Sequence, residues 1–212
     1  MSKLLYIEAS PRGTLSGSTL LANTYLDELR KTNPGIEVDT LRVWEEDLPE
    51  FDTNTVAAKM SVMTGQALDA TQRAAWDKVT EIANRFISAD RYVIASPMWN
   101  NGIPYRLKHY IDIVHQPGLT WTLQPAKGFI GLLKNKHASL FLTAGVYGPT
   151  MPSPAFGVDH QGAYLKGWLN QAGVDAIDEV LLQPSLLTPD ALAALTQAKE
   201  RAVELAVRHG AL

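Results

Sequence analysis

Residues 3–18 have the sequence KLLYIEASPRGTLSGS, a short apolar run followed by a loop of serines and glycines. The run at 3–7 is bounded by turn residues, which is typical of a strand buried on both faces of a parallel sheet. A helix follows the loop and ends at Asn33-Pro34-Gly35. Its apolar residues share one face, namely Leu21, Ala22, Tyr25, Leu26 and Leu29. These features predict the first strand–helix unit of a parallel α/β sheet.

The same alternation continues along the chain. Further strands are predicted at 36–42, 91–95, 137–144 and 174–182, and helices at 69–86, 105–114 and 160–171, with a last helix beginning at Thr188-Pro189. Segment 43–68 is too long for a plain connection, so we predict an insertion with a short helix within 55–65. The pattern predicts one domain over residues 1–212, an α/β three-layer sandwich with helices on both faces of a five-stranded parallel sheet.

Composition restricts the classes of partner. The chain has 19 lysines and arginines against 22 aspartates and glutamates, scattered along its length, so we expect neither a nucleic-acid nor a membrane partner. It has no cysteine, which excludes disulfides and thiol catalysis and favours a cytoplasmic location. The histidines show no ligand spacing, so we expect no metal site and place most of them at the surface or at helix ends. They are His109, His115, His137, His160 and His209.

The loop after the first strand is suited to a phosphate. Ser10, Ser16 and Ser18 offer hydroxyl donors, Arg12 and Gly17 stand among them, and the loop leads into a helix N-terminus with its positive dipole. The loop is neither a P-loop nor the Gly-x-Gly-x-x-Gly dinucleotide pattern. The alternative is an ordinary polar loop with a serine N-cap.

The loop after the third strand is suited to a flat ring. Two prolines stiffen the sequence PMWNNGIP at 97–104, which holds a methionine, a tryptophan and two carboxamides. The alternative is that Met98 and Trp99 are core residues and Asn101-Gly102 is a plain turn. The ring-binding interpretation predicts contacts from Pro97, Met98, Trp99, Asn100 and Asn101.

Topology places these two loops together. In the flavodoxin-like arrangement, with strand order 2-1-3-4-5, a ligand lies beyond the carboxyl ends of strands one and three, where the winding reverses. The loop after strand four borders the same crevice, and its glycines let backbone amides approach a ring. It contains Thr143, Ala144, Gly145, Val146 and Tyr147. A phosphate site and a ring site at one crevice predict bound flavin mononucleotide (FMN).

The motifs resemble those of the bacterial FMN-dependent azoreductases, in the flavodoxin-like quinone reductase family. The resemblance covers nearly the whole chain, and its most specific part is Pro97-Met98-Trp99-Asn100 continuing through Ile103-Pro104-x-x-Leu107-Lys108-x-Tyr110-Ile111-Asp112. Further matches are Ser10 with Ser16-Gly17-Ser18, Gly118-x-Thr120-Trp121, and Gly128-x-x-Gly131-Leu132-Leu133-Lys134. Two positions depart from the family: Asn101, often Phe, and segment 143–146, often Ser-Arg-Gly-Gly. These departures bear on the substrate side of the pocket.

The resemblance implies an enzyme in which FMN accepts hydride from NADH or NADPH and passes two electrons to quinones or azo compounds by a ping-pong mechanism. It implies no dedicated catalytic side chain, because the cofactor carries the chemistry. It also implies a homodimer with FMN at the subunit interface, walled by Trp121, Phe156 and segment 43–68. The alternatives are a flavodoxin-like electron carrier, which lacks a hydride-donor site, and a non-enzymatic interaction protein.

Overall fold

The central sheet has five parallel strands. The computed structural model describes residues 2–210. Its strands are β1 (Lys3–Glu8), β2 (Glu37–Arg42), β3 (Arg91–Pro97), β4 (Trp121–Gln124), β5 (Gly128–Gly131), β6 (His137–Thr143) and β7 (Ala176–Leu182). The main sheet has the order β2-β1-β3-β6-β7, and each neighbouring pair is parallel. This confirms the predicted 2-1-3-4-5 topology, since β4 and β5 lie outside this sheet.

Helices cover both faces of the sheet. They are α1 (Gly17–Thr32), α2 (Thr53–Thr64), α3 (Ala70–Ser88), α4 (Tyr105–Val114), α5 (Gln161–Ala172) and α6 (Ala191–Gly210). Side chains alternate along each strand, so Leu4 and Tyr6 pack in a core with α1 and α6, whereas Leu5 and Ile7 pack in a second core with α3, α4 and α5. The predicted three-layer sandwich is therefore confirmed.

The sequence interpretation gave no strand bounds within 121–131 and misplaced some boundaries of other elements. Strands β4 and β5 form a separate antiparallel hairpin, with Trp121 paired to Gly131; its strands of four residues are too short to show a clear period. Strand β1 extends to Glu8 and β3 to Pro97. The prediction that Thr188-Pro189 begins the last helix was wrong, because α6 begins at Ala191 and the Asp190 carboxylate accepts from the Ala193 amide at 2.9 Å.

The predicted insertion at 43–68 packs along α4. It contains α2, whose N-cap Asp52 accepts from the Thr55 amide, as expected for a short helix in this segment. Arg106 on α4 donates to the backbone carbonyls of Val43 and Glu46, and His109 Nε2 lies 2.8 Å from the carbonyl oxygen of Pro49. These contacts fix the insertion beside the carboxyl edge of the sheet.

Two further sequence features can be compared with the structure. Asp69 and Gln72 form the expected capping box at the start of α3. Within residues 2–210, no helix is both long enough and apolar enough to span a bilayer.

Candidate functional site

A cavity opens where β1, β3 and β6 end. The residues predicted to bind cofactor that line it are Ser10, Arg12, Ser16, Gly17, Pro97, Met98, Trp99, Thr143 and Gly145. Four further lining residues were missed by the sequence interpretation: Pro11, Leu182, Ser185 and Leu186. Six predicted residues do not line it, namely Ser18, Asn100, Asn101, Ala144, Val146 and Tyr147. The topology thus brings the three loops to one crevice.

One end of the cavity has the donors that a phosphate needs. Ser16 is the N-cap of α1, but its side chain makes no capping hydrogen bond; its Oγ instead lies 3.0 Å from Ser18 Oγ. Within the described part of the chain, the amides of Gly17, Ser18 and Thr19 donate to no acceptor. An uncapped helix N-terminus carries partial positive charge. This end therefore fits an anion such as a phosphate monoester.

Ser10 extends this donor set. It is buried, and its Oγ accepts from the Arg12 amide at 3.3 Å, which leaves its own hydroxyl proton free to donate to a ligand. The Arg12 side chain is exposed at the cavity rim. A positive φ of 52° at Gly13 allows the chain to turn sharply between Ser10 and Ser16.

Gly17 sets how closely α1 approaches the sheet. A Cβ at this position would lie 3.4 Å from Leu182 Cδ2 and 3.4 Å from Thr143 Cγ2. The first turn of α1 therefore packs directly on the ends of β6 and β7. This explains why Leu182, at the end of a strand far along the sequence, lines the same cavity.

The ring end is built from the loop after β3. The Met98 amide donates to the carbonyl of Thr143 at 2.6 Å, and Trp99 and Gly102 exchange two backbone hydrogen bonds. Asn100 and Asn101 have φ of 49° and 69°, a left-handed pair that closes a tight turn. This geometry holds Met98 and Trp99 at the cavity.

The sequence interpretation allows both asparagine side chains to meet a ring, and the structure gives one of them a partner within the chain. Asn101 Oδ1 accepts from the Val158 amide at 3.3 Å, and the Asn101 carbonyl accepts from the His160 amide at 2.9 Å. Asn101 thus joins this loop to segment 157–160. Asn100 is exposed.

The loop after β6 offers free backbone donors. Ala144 is buried, and its amide donates to the Leu182 carbonyl at 3.2 Å. Across residues 2–210, by contrast, no acceptor receives the amides of Gly145 or Val146. A Cβ at Gly145 would lie 2.9 Å from Leu186 Cδ1, so glycine allows the segment that begins at Ser185 to pack closely here.

An aromatic cluster stands beside the ring end. The Trp44 ring lies 5.6 Å from that of Trp99 and 5.2 Å from that of Tyr105. The Tyr105 side chain is 67% exposed and Trp99 is 38% exposed. Trp44 was missed as an individual residue, although its segment was expected to contribute a wall. The cluster presents an open aromatic surface next to the cavity.

The two residues expected in the substrate wall do not line this cavity. Trp121 is 7% exposed and packs against Phe129, with ring centroids 4.9 Å apart. Phe156 is half-buried in a turn, where its amide donates to the Pro152 carbonyl. Within one chain, the pocket therefore lacks this part of the expected wall.

Burial changes the acidity of two groups near the ends of the strands and helices. Glu8, at the end of β1, is buried, and desolvation raises the pKa of its carboxyl despite Arg42 at 3.7 Å. Burial lowers the pKa of the His115 imidazole, which lies 3.1 Å from Gln171 Oε1. Neither side chain lines the cavity.

Comparison with known proteins identifies the family. A family model described as flavodoxin-like fold matches residues 2–206. The FMN-dependent NADH:quinone oxidoreductase of Ruegeria pomeroyi is 45% identical over 205 residues, which cover 93% of this chain and 100% of the relative. The chain belongs to the flavodoxin-like family that contains these oxidoreductases. This confirms the resemblance found in the sequence motifs.

Solved structures of the family are similar along the whole chain. The azoreductase from Bacillus anthracis str. Sterne has a TM-score of 0.88 and 26% identity, covering 98% of this chain and 100% of its own. The FMN-dependent NADH-azoreductase from Bacillus anthracis str. Ames Ancestor, solved in complex with FMN, has a TM-score of 0.86 and 25% identity, covering 99% of this chain and 100% of its own.

Proposed function

We propose that this protein is an FMN-dependent oxidoreductase that reduces quinones and azo compounds with NADH or NADPH. The observation that carries the proposal is the uncapped N-terminus of α1, which meets Ser10 and Ser16 at the carboxyl edge of the sheet. The names of the Ruegeria pomeroyi relative and of the two Bacillus anthracis structures support it. We also propose a single domain over residues 1–212, which is supported by the one sheet that both cores share.

The residues present fit FMN. Ser10, Ser16 and the amides at 17–19 would hold the phosphate, because they supply hydroxyl and amide donors at the positive end of a helix. Met98 and Trp99 would pack on the edge of the ring. The amides of Gly145 and Val146 would donate to its pyrimidine edge, where fixed donors in a dry site stabilise negative charge. When bound, FMN supplies the hydride chemistry.

The protein's own part is to bind and orient. Within the described residues, Arg12 is the one ionisable side chain that lines the cavity, and it stands at the rim on the phosphate side. The ring end is formed by Met98 and Trp99, and neither side chain can act as an acid or a base. This supports a reaction in which the side chains position the reactants and the cofactor carries the electrons.

A homodimer completes the pocket in this proposal. The exposed cluster of Trp99 and Tyr105 presents apolar surface beside the ring end, and the walls expected from Trp121 and Phe156 do not line the cavity of the same chain. A second copy placed over this surface would supply them.

Tyr105→Glu tests this interface and should shift the protein towards monomer in sedimentation and reduce turnover. The control is Leu192→Glu, which should do neither, because Leu192 is exposed on α6 on the other side of the sheet. Unchanged sedimentation of Tyr105→Glu would contradict the placement of the interface.

The cytoplasmic location belongs to the same proposal and is supported by the absence of cysteine. Cell fractionation with an antibody against the protein tests it. Recovery in the membrane or periplasmic fraction would contradict it.

The function is tested in one cuvette. Protein loaded with FMN and desalted is mixed anaerobically with NADH or NADPH, and then with benzoquinone or an azo dye. Bleaching of the flavin band by the nicotinamide and its recovery with the acceptor are expected. A bound flavin that neither nicotinamide bleaches would indicate an electron carrier, and protein that retains no FMN would indicate a non-enzymatic role.

A further inference from the structure

Three potential metal ligands converge at the amino end of the sheet, away from the cavity. His137 is the first residue of β6, Asp178 lies near the start of β7, and His209 lies at the end of α6. His137 and Asp178 are partly exposed, whereas His209 is buried. The three residues are far apart in sequence, so no local spacing could reveal them. They form a His–Asp–His cluster.

The ligand atoms of this cluster face one point. His137 Nε2 lies 2.9 Å from Asp178 Oδ2, and His209 Nε2 lies 3.1 Å from the same oxygen. The three ligand atoms lie within 4.8 Å of one another. Around a tetrahedral zinc ion, bond lengths of about 2.0–2.1 Å place ligand atoms roughly 3.3 Å apart. The two His–Asp separations are within about 0.5 Å of this spacing, so small side-chain rotations would admit an ion.

A neighbouring side chain orients the buried imidazole. Tyr25 Oη lies 2.8 Å from His209 Nδ1. With an ion bound, Nδ1 would donate its proton to this oxygen and leave the lone pair of Nε2 free for the metal. Metal-binding histidines characteristically have their second nitrogen held in this way by an outer hydrogen bond. The cluster thus combines three potential ligand atoms with a hydrogen bond to Tyr25 that orients one of the imidazoles.

We propose that His137, Asp178 and His209 bind a divalent transition-metal ion of the zinc class, with water at the remaining position. Two imidazoles and one carboxylate suit this class better than Mg²⁺ or Ca²⁺, which prefer oxygen ligands. Arg208 approaches the other carboxylate oxygen, Oδ1, at 3.4 Å, and Arg91 donates to the His209 carbonyl at 3.0 Å. The ion would join α6 to β6 and β7 and thereby stabilise the fold.

The test measures zinc binding by untagged, chelator-treated, full-length protein. Calorimetric titration with Zn²⁺ should give one site per chain, and free Zn²⁺ at a hundred times Kd should raise Tm by about 5–10 °C. Mg²⁺ should have no effect. His137→Gln and Asp178→Asn should each weaken Zn²⁺ binding at least about tenfold. His160→Gln, which changes an exposed histidine at the start of α5, is the control and should bind as the wild type does.

Two results would overturn the proposal: no saturable Zn²⁺ binding by the wild type, or binding that both ligand variants retain. Melting curves without metal confirm that the variants are folded before they are compared. Because the cluster is remote from the cavity, the titration is repeated with FMN present. We expect the same Kd for Zn²⁺ with and without FMN. The result of the metal titration therefore does not depend on whether the proposed oxidoreductase activity is found.

Discussion

The indole nitrogen of Trp44 donates to the carbonyl oxygen of Ala9 at 2.9 Å. Ala9 directly precedes Ser10, and its own amide donates to the Ala95 carbonyl. The Trp44 ring also packs against the Trp99 ring, with ring centroids 5.6 Å apart. One side chain of the insertion therefore touches both the phosphate-side loop and the ring-side loop, and we expect it to hold the two in register.

Trp44→Phe tests this role. The substitution keeps an aromatic ring but removes the hydrogen bond to Ala9, and a lost bond of this kind costs about 1 kcal/mol. We expect Kd for FMN, measured by quenching of flavin fluorescence, to rise about fivefold. The control is Trp168→Phe, because the Trp168 indole N–H has no partner within residues 2–210. Equal FMN affinity of wild type and Trp44→Phe would contradict the proposed coupling.

Ser16→Ala tests the phosphate end. The change removes a buried hydroxyl at the start of α1, so FMN affinity should fall about tenfold, as expected for the loss of a hydrogen bond to a charged group. Riboflavin lacks the phosphate, so its affinity should not change. Thr24→Ala, also on α1, removes a hydroxyl that donates to Leu20 and is the control. An equal loss of affinity for both flavins would place the serine away from the phosphate.

Local patterns were sufficient for much of the fold. Asp69 and Gln72 predict a helix start through a capping box, and the structure contains it. The apolar period of 105–114 predicts a helix with the bounds that α4 has. Alternating strands and helices were enough to predict a parallel sheet covered on both faces, and the flavodoxin-like arrangement supplied the strand order that the structure has.

The contacts that the sequence did not predict are long-range. Leu182 and Leu186 reach the cavity only because β7 lies beside β6. Trp44 reaches Ala9 across 35 positions of the chain, and His209 reaches Asp178 across 31. No local period or spacing encodes such pairs. The sequence therefore predicted which loops form the crevice, but not every side chain that closes it.

A partly buried ion pair predicts how stability depends on pH. Arg85 Nε and Nη2 donate to the two Asp39 oxygens at 3.0 and 2.8 Å, and Nη1 donates to Glu46. The hydrogen bonds from Arg85 hold the pKa of the Asp39 carboxyl below its ordinary value. The stabilisation is therefore complete above the unfolded-state pKa of about 3.9 and is lost as the pH falls through the lower folded-state pKa.

Asp39→Asn should accordingly lower the free energy of unfolding by about 1–2 kcal/mol at neutral pH. The difference from wild type should shrink as the pH falls below about 4. Urea unfolding at a series of pH values measures both effects. Asp27→Asn is the control, because its pair with Arg30 is exposed and should contribute less than about 1 kcal/mol. If the difference in unfolding free energy between wild type and Asp39→Asn stays constant down to acid pH, the ion pair of Asp39 with Arg85 is not its source.

The hairpin of β4 and β5 packs against the end of α5 at a site with no room for a side chain. A Cβ on Gly131 would overlap the backbone of Gly173, whereas a Cβ on Gly167 would meet nothing within 4 Å. Gly131→Ala should therefore lower the free energy of unfolding by about 2–3 kcal/mol, and Gly167→Ala, inside α5, should raise it by up to about 1 kcal/mol. Thermal melts of the two variants should shift in opposite directions. If Gly131→Ala has the same Tm as the wild type, the hairpin can move away from α5 at little cost in free energy. The close backbone contact would then not fix the position of the hairpin.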